Sequence, residues 1–226
     1  MQRFAASLVM CLLFTAITQA QGLVEEFESP ADLALRWEVT RPLDANAHVS
    51  DGKLLITHDY DMRFRPGVSI KSLKPITITG QRIVMLVKVG SYDHGTAKKK
   101  NLFNAYKFRL GDDVAQLSVN RSVSKDVLRF FIHGKKVWDS YPYDRDRLFA
   151  PDTYIGFVID GNNWTVIATD DPQKLTAMKP AGHANASQGK LEKAPSIKGD
   201  HIMHILAANV YGRQAFWSID RILIQP

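Results

Sequence analysis

Residues 154–170 read YIGFVIDGNNWTVIATD, and this stretch decides the fold class. Large apolar side chains occupy positions 155, 157 and 159, which is the two-residue repeat of a pleated β-strand. The next residues, Asp160-Gly161-Asn162-Asn163, tolerate the positive φ that a hairpin turn needs. Trp164, Val166 and Ala168 then resume the alternation. The stretch therefore predicts a central hairpin of an all-β sandwich.

The first 20 residues have the pattern of a secretory signal peptide. Arg3 supplies a positive charge, residues 8–17 form an apolar run too short to span a bilayer, and Ala20 suits signal peptidase. No later run approaches the roughly 18 apolar residues of a membrane span. We therefore expect residues 1–20 to be removed and residues 21–226 to form one secreted or periplasmic domain.

Cysteine content and charge limit the chemistry. The single cysteine, Cys11, falls within the predicted signal, so the mature chain would have no disulfide and no cysteine nucleophile. The whole chain has 29 Lys and Arg against 23 Asp and Glu, and loss of Arg3 leaves a net charge of +5. A mildly basic protein favours anionic partners, but nucleic acid is a poor match for an exported chain without a binding motif.

Short strand-like runs separated by turn residues fill the rest of the chain, which favours a sandwich or barrel. Residues 83–89 form a long apolar run, as expected for a strand covered on both faces. Residues 171–200 are rich in Pro, Gly, Ala, Ser and Lys and are expected to be mostly loop, with one helical turn near Leu175. Strands are predicted at residues 23–27, 37–39, 47–50, 53–57, 68–73, 76–79, 83–89, 103–110, 114–120, 127–133, 135–138, 202–210 and 216–224. A polar turn, Glu28-Ser29-Pro30, is predicted after the first of them.

Both ends of the mature chain carry short family-like motifs. Phe27, Trp37-Glu38-Val39 and Asp51-Gly52-Lys53-Leu54 resemble the first strands of the concanavalin A-like lectin/glucanase superfamily, and residues 216–222, FWSIDRI, resemble its closing strand. The resemblance implies a jelly roll of two antiparallel sheets, one of them concave, with carbohydrate as the usual ligand. Fold alone does not settle function.

The glucanases of that superfamily carry Glu-x-Asp-x-x-Glu on one strand, which supplies the acid and the nucleophile of a retaining glycosidase. This chain has no such motif. Glu25, Glu26 and Glu28 form the nearest carboxylate cluster, but they lack the spacing. A retaining glucanase of the usual kind is therefore not expected.

Three alternating strands in the middle of the chain predict a polar sheet face. One side of each is apolar, and the other side carries Lys107 and Arg109, then Gln116, Ser118 and Asn120, then Arg129, Phe131 and His133. If these strands are neighbours, they form a basic surface, which Lys88 and His204 could join. Arginine binds carboxylate or sulfate bidentately, and histidine titrates near neutrality. The face therefore suits an acidic or sulfated polysaccharide.

Three interpretations of this face stay open. It is a solvated sheet face, a glycan-binding surface, or an active site. Alginate lyases with this jelly roll use Arg, Gln, His and Tyr, and Arg109, Gln116 and His133 match three of those residue types, although the lyases' local motifs are absent. A structural or adhesive module without a sugar ligand would instead show a broad apolar patch. Our leading hypothesis is a secreted glycan-binding protein without turnover; its oligomeric state stays open.

Aromatic residues near one loop are further candidates for ligand binding. Trp138, Tyr141 and Tyr143 lie on or beside a loop, where rings can stack on sugars or anchor the loop. By alternation, Trp37, Trp164 and Trp217 are expected in the core.

The family resemblance also implies a structural calcium on the convex side. Its donors would be an acidic residue near the first strand, a turn carbonyl and an Asp in the last strand. Glu26, Gly52 and Asp220 match these positions. The alternative is that Asp220 forms a surface ion pair.

Overall fold

The computed structural model of the chain describes residues 22–43, 45–58, 67–93, 104–121, 126–140, 150–178, 186–208 and 215–226. Strands dominate this part of the chain, with one short helix among them. The elements are β1 Leu23–Glu25, α1 Pro30–Arg36, β2 Trp37–Thr40, β3 Ala45–Ser50, β4 Lys53–His58, β5 Val68–Ser72, β6 Ile76–Ile78, β7 Arg82–Asp93, β8 Asn104–Leu110, β9 Ala115–Arg121, β10 Asp126–Ile132, β11 Lys135–Asp139, β12 Thr153–Asp160, β13 Asn163–Thr169, β14 Gln188–Lys190, β15 Gly199–His201, β16 Met203–Ala208 and β17 Ala215–Gln225.

Two large antiparallel sheets pack face to face, as the sequence predicts. The eight-stranded sheet has the order β14-β13-β12-β7-β17-β4-β3, with β1 also pairing with β17. The seven-stranded sheet has the order β11-β10-β9-β8-β16-β5-β2, and β15 pairs with β6 in a small third sheet. Within the described residues, no helix is long and apolar enough to cross a membrane.

The hairpin of residues 154–170 is confirmed. Asp160 of β12 pairs with Asn163 of β13, and Gly161 in the turn has a φ of +57°. Ile155, Phe157 and Ile159 are fully buried. The hairpin lies beside β7 and not at the centre of the sheet, because β7 itself occupies the middle position.

Strand β7 is covered on both faces, as its apolar run predicts. Its inward side chains join the main core, where the rings of Phe130 and Phe157 lie 4.8 Å apart and those of Phe108 and Trp217 lie 5.6 Å apart. Its outward side chains join a second, smaller apolar cluster of Val84, Leu86, Tyr154, Ile167 and Leu223. The predicted core positions of Trp37, Trp164 and Trp217 are confirmed.

Two local predictions were wrong. The segment after β1 was expected to be a polar turn, but it starts α1: Ser29 caps the helix by accepting a hydrogen bond from the backbone N–H of Asp32 at 3.2 Å, and Pro30 occupies the first turn. The helical turn expected near Leu175 is instead a non-helical turn, whereas residues 171–178 and 186–200 are mostly loop, as predicted, apart from β14 and the start of β15. Pairing with distant strands creates these two short strands, so local composition does not reveal them.

Candidate functional site

Strands β8, β9 and β10 are neighbours in the seven-stranded sheet, so their polar positions form one continuous face. In one cross-strand row Arg109 pairs with Gln116, which pairs with Phe131. In the next row Lys107 pairs with Ser118, which pairs with Arg129. Side chains directly opposite one another on paired strands lie within contact range. The register therefore brings together cations from β8 and β10 around amide and hydroxyl groups from β9.

These side chains line a cleft of about 410 Å³ on the outer face of the seven-stranded sheet. We call it the polar cleft. Five of the predicted ligand-binding residues lie in it. Its lining residues are Lys107, Arg109, Asp112, Asp113, Ala115, Gln116, Ser118, Asn120, Arg129, Phe131 and Gly134.

A hydrogen bond fixes the orientation of Arg109. Its Nε donates to Oε1 of Gln116 at 2.6 Å. The contact uses one edge of the guanidinium, while the terminal nitrogens have no hydrogen-bond partner among the described residues. A guanidinium positioned in this way is ready to donate to a carboxylate or sulfate.

Three cations line the cleft without an ion-pair partner among the described residues. Within the described ranges, Lys107, Arg109 and Arg129 form no ion pair with any carboxylate. Burial lowers the pKa of Lys107, and the neighbouring charge of Arg109 lowers that pKa further. The acidic residues of the cleft, Asp112 and Asp113, are exposed in the turn after β8. The floor of the cleft is therefore a place where a negative charge would be stabilised.

His204 joins this face, as the alternation of its strand suggested. It pairs with Arg109 on one side and with Lys71 on the other, and its Nε2 lies 2.8 Å from Oγ of Ser69. Burial lowers the pKa of His204, the charges of Lys71 and Arg109 lower it further, and Asp112 acts in the opposite direction. Near neutral pH the imidazole is therefore uncharged.

Three predicted site residues lie elsewhere. His133 is exposed in the turn after β10, with a φ of +48°, and does not line the polar cleft. Lys88 lies on β7 in the opposite sheet, where it contacts Asp152 and Asp220. Trp138 is only 3% exposed because a register shift places it opposite Phe130, whose side chain points into the core. Trp138 therefore cannot stack on a bound sugar. Tyr141 and Tyr143 lie outside the described residues.

Two of the three predicted calcium donors, Glu26 and Asp220, are already contacted by cations of the chain. Arg221 Nη2 lies 2.7 Å from Glu26 Oε1, and Lys53 Nζ lies 3.3 Å from Asp220 Oδ2. Gly52 is in the turn next to Lys53, with a φ of +70°. Among the described residues, no group of three or more His, Cys, Asp or Glu side chains is arranged to hold a metal ion. This donor set does not fit calcium.

Comparison with known proteins identifies the fold. No family model matches the chain, and no curated protein matches it in sequence. A legume lectin-like domain from Entamoeba histolytica superposes with a TM-score of 0.59 at 9% identity, covering 92% of this chain and 98% of that one. The CBM2 module of the evolved Dit of Lactobacillus casei BL23 phage J-1 has a TM-score of 0.57 at 11% identity, covering 89% and 93%.

A third neighbour is the exoplasmic/lumenal domain of VIP36 in its Ca²⁺-bound form. Its TM-score is 0.54 at 11% identity, and the match covers 89% of this chain and 87% of that one. At such identities the likeness establishes the fold alone. Together with the two antiparallel sheets, it confirms the expected fold class: the chain is a two-sheet sandwich of the concanavalin A-like type.

Proposed function

We propose that this protein is a secreted module that binds an anionic polysaccharide in the polar cleft and releases it unchanged. The observation that carries the proposal is the set of three cations, Lys107, Arg109 and Arg129, which line one cleft without a carboxylate partner among the described residues. Holding like charges together in a partly buried place is unfavourable unless a ligand neutralises them.

The other groups of the cleft suit a sugar. Gln116, Ser118 and Asn120 offer hydrogen-bond donors and acceptors for hydroxyl groups, and Phe131 offers a partly exposed ring beside the cations. An aromatic ring buries apolar area of a sugar with little loss of entropy. A uronate or sulfated residue would place its ring near Phe131 and its anionic group toward Arg109 and Lys107.

Structural neighbours support the sugar part of the proposal. Structures of VIP36 include forms with bound mannose and mannose oligosaccharides, and another neighbour is named as a legume lectin-like domain. The proposal that the bound polysaccharide is anionic rests on the cations that line the polar cleft of this chain. The secreted location rests on the signal peptide predicted at residues 1–20.

Affinity electrophoresis of the mature protein tests the proposal. Native gels would contain alginate as a polyuronate, dextran sulfate as a sulfated glycan, or dextran as a neutral control. We expect at least one anionic polymer to retard the protein, and dextran to leave its mobility unchanged. Arg129→Ala should reduce the retardation, whereas Lys193→Ala, which removes the same charge from an exposed site outside the cleft, should not. Equal retardation of the two variants would contradict the assignment to the cleft.

One arrangement favours a second candidate, a uronate lyase. Arg109 and Gln116 are hydrogen-bonded, and an uncharged His204 is next to Arg109 in the same cross-strand row. The first two groups would bind the uronate carboxylate and so acidify the α-proton, and the imidazole would accept that proton. The C–H electron pair then forms a C=C bond while the glycosidic C–O bond breaks, and the protonated imidazole returns its proton to the departing sugar oxygen, which leaves an unsaturated uronate.

The product of the reaction distinguishes a lyase from a binding module. Ultraviolet absorbance of the unsaturated uronate should rise when the protein is mixed with alginate, and His204→Ala should abolish the rise without preventing retention in the gel. Retention without absorbance supports a binding module. The remaining hypothesis, an adhesive module without a sugar ligand, requires a broad apolar patch on this face, and the described residues form a charged cleft there instead.

A further inference from the structure

An alternating set of charges lies on the eight-stranded sheet where β4 and β1 both pair with β17. Lys53 Nζ lies 3.3 Å from Asp220 Oδ2, and Lys88 Nζ lies 3.8 Å from the same oxygen. Lys88 also lies 3.6 Å from Asp152 Oδ1. With the Arg221–Glu26 pair, the set contains three cations and three carboxylates. We call these six residues the charge cluster.

The backbone aims Asp220 into this cluster. Ile219 pairs with Val89 and Arg221 pairs with Lys88, so Asp220 is the extra residue of a bulge in β17. Gly90 on β7 makes room for it, because a Cβ at that position would lie 2.3 Å from Oδ1 of Asp220. The Asp220 side chain is thereby only 11% exposed, and both lysines reach it from neighbouring strands.

The described residues of the cluster do not supply the ligand set of a calcium site. Its charges already balance, so an added Ca²⁺ would create an excess of positive charge next to two ammonium groups. Calcium takes six to eight oxygen ligands. Here Oδ2 of Asp220 and Oε1 of Glu26 face cations of the chain, and Oδ1 of Asp220 is the one buried carboxylate oxygen of the cluster without a hydrogen bond.

We propose that Lys53 and Lys88 take the place of a structural divalent cation beside Asp220, so that the sandwich needs no calcium there. The two ammonium groups neutralise the carboxylate of Asp220. Their ion pairs also link β4 and β7 to β17. This inference does not rest on the proposed function, because the cluster lies on the opposite sheet from the polar cleft.

Thermal unfolding with and without calcium tests the proposal. The melting temperature of the mature protein in EGTA should agree within about 1 °C with that in millimolar CaCl2, because a ligand stabilises only the state that binds it. The double variant Lys53→Met with Lys88→Met should melt at a lower temperature in EGTA. Calcium should raise that temperature, since Asp220 then lacks a counter-charge.

Two controls keep the result interpretable. Lys136→Met removes an ammonium that pairs with Asp139 on the other sheet, so it should not create a response to calcium. If the double variant does not fold, the effect of calcium on the melting temperatures of the wild type and of Asp220→Asn still tests the proposal. A calcium-dependent rise of several degrees in the wild type, lost in Asp220→Asn, would overturn the proposal. A double variant that melts like the wild type in EGTA would also overturn it.

Discussion

Arg109 acquires its role from its neighbours. Its position on β8 fixes which face it occupies, but Gln116 holds its guanidinium and His204 lies beside it on the next strand. The first contact spans the β8–β9 hairpin, and the second joins β8 to β16, which is distant in the sequence. A substitution at Gln116 is therefore expected to weaken ligand binding through the orientation of Arg109, without a large effect on folding.

His204 makes the stability of the fold depend on pH. Its folded-state pKa lies below the ordinary value of 6.5 because of burial and the charges of Lys71 and Arg109. The unfolded chain therefore takes up a proton first as pH falls, and this contribution to stability is lost progressively below about pH 6.5. We expect the drop in melting temperature from about pH 7.5 to about pH 5.5 to be smaller in His204→Gln than in the wild type.

His133→Gln serves as the matched control, since it replaces an exposed histidine in a turn. Thermal melts at several pH values measure both variants against the wild type. An unchanged pH dependence in His204→Gln would contradict the assignment.

At the level of elements, the β9–β10 hairpin depends on a buried ion pair. Arg121 donates to both carboxylate oxygens of Asp126, at 2.8 and 3.0 Å, and its guanidinium lies 3.8 Å from the centre of the Tyr92 ring. Both side chains of the pair are almost completely buried. Water cannot replace a lost partner there, so the pair is costly to break on one side only.

Asp126→Asn is expected to lower the free energy of unfolding by roughly 3 kcal/mol, because it leaves the arginine charge buried. The double variant Arg121→Met with Asp126→Leu should cost much less, since both charges are gone. Urea unfolding followed by fluorescence measures both free energies. A loss below about 1 kcal/mol in Asp126→Asn would show that the pair is not needed for the hairpin.

The strands were predictable because their signal is local. Alternation placed a strand at residues 127–133, and β10 spans Asp126–Ile132. It also identified the faces of β8, β9 and β10 correctly. The helix α1 was predictable in principle, since Ser29, Pro30 and Asp32 form a recognisable helix start.

The burial of Trp138 could not be predicted from local alternation. A register shift between Phe130 and Phe131 decides which face of β11 it occupies, and alternation over five residues does not reveal such a shift.

For the whole molecule, the arrangement of strands determines which residues share a site. Local pattern could not tell that Lys88 belongs to the eight-stranded sheet and His204 to the seven-stranded one, because strand order results from packing between distant segments. The same long-range pairing brought Lys53 to Asp220 and replaced the expected metal donors by ion pairs. The sequence therefore predicted which types of residue line the polar cleft. Which individual residues line it became clear only from the fold.

Calorimetric titration tests the central claim most directly. The wild type would be titrated with alginate oligosaccharides, dextran sulfate and dextran, beside Lys107→Ala/Arg109→Ala/Arg129→Ala and a control with the same charge loss, Lys74→Ala/Lys193→Ala/Lys198→Ala. Charge-assisted hydrogen bonds contribute about 1.5–3 kcal/mol each, so the cleft variant should bind an anionic glycan at least about tenfold more weakly. The control should stay near the wild type, and dextran should not bind. Equal losses in the two triple variants would contradict a specific anionic site in the cleft.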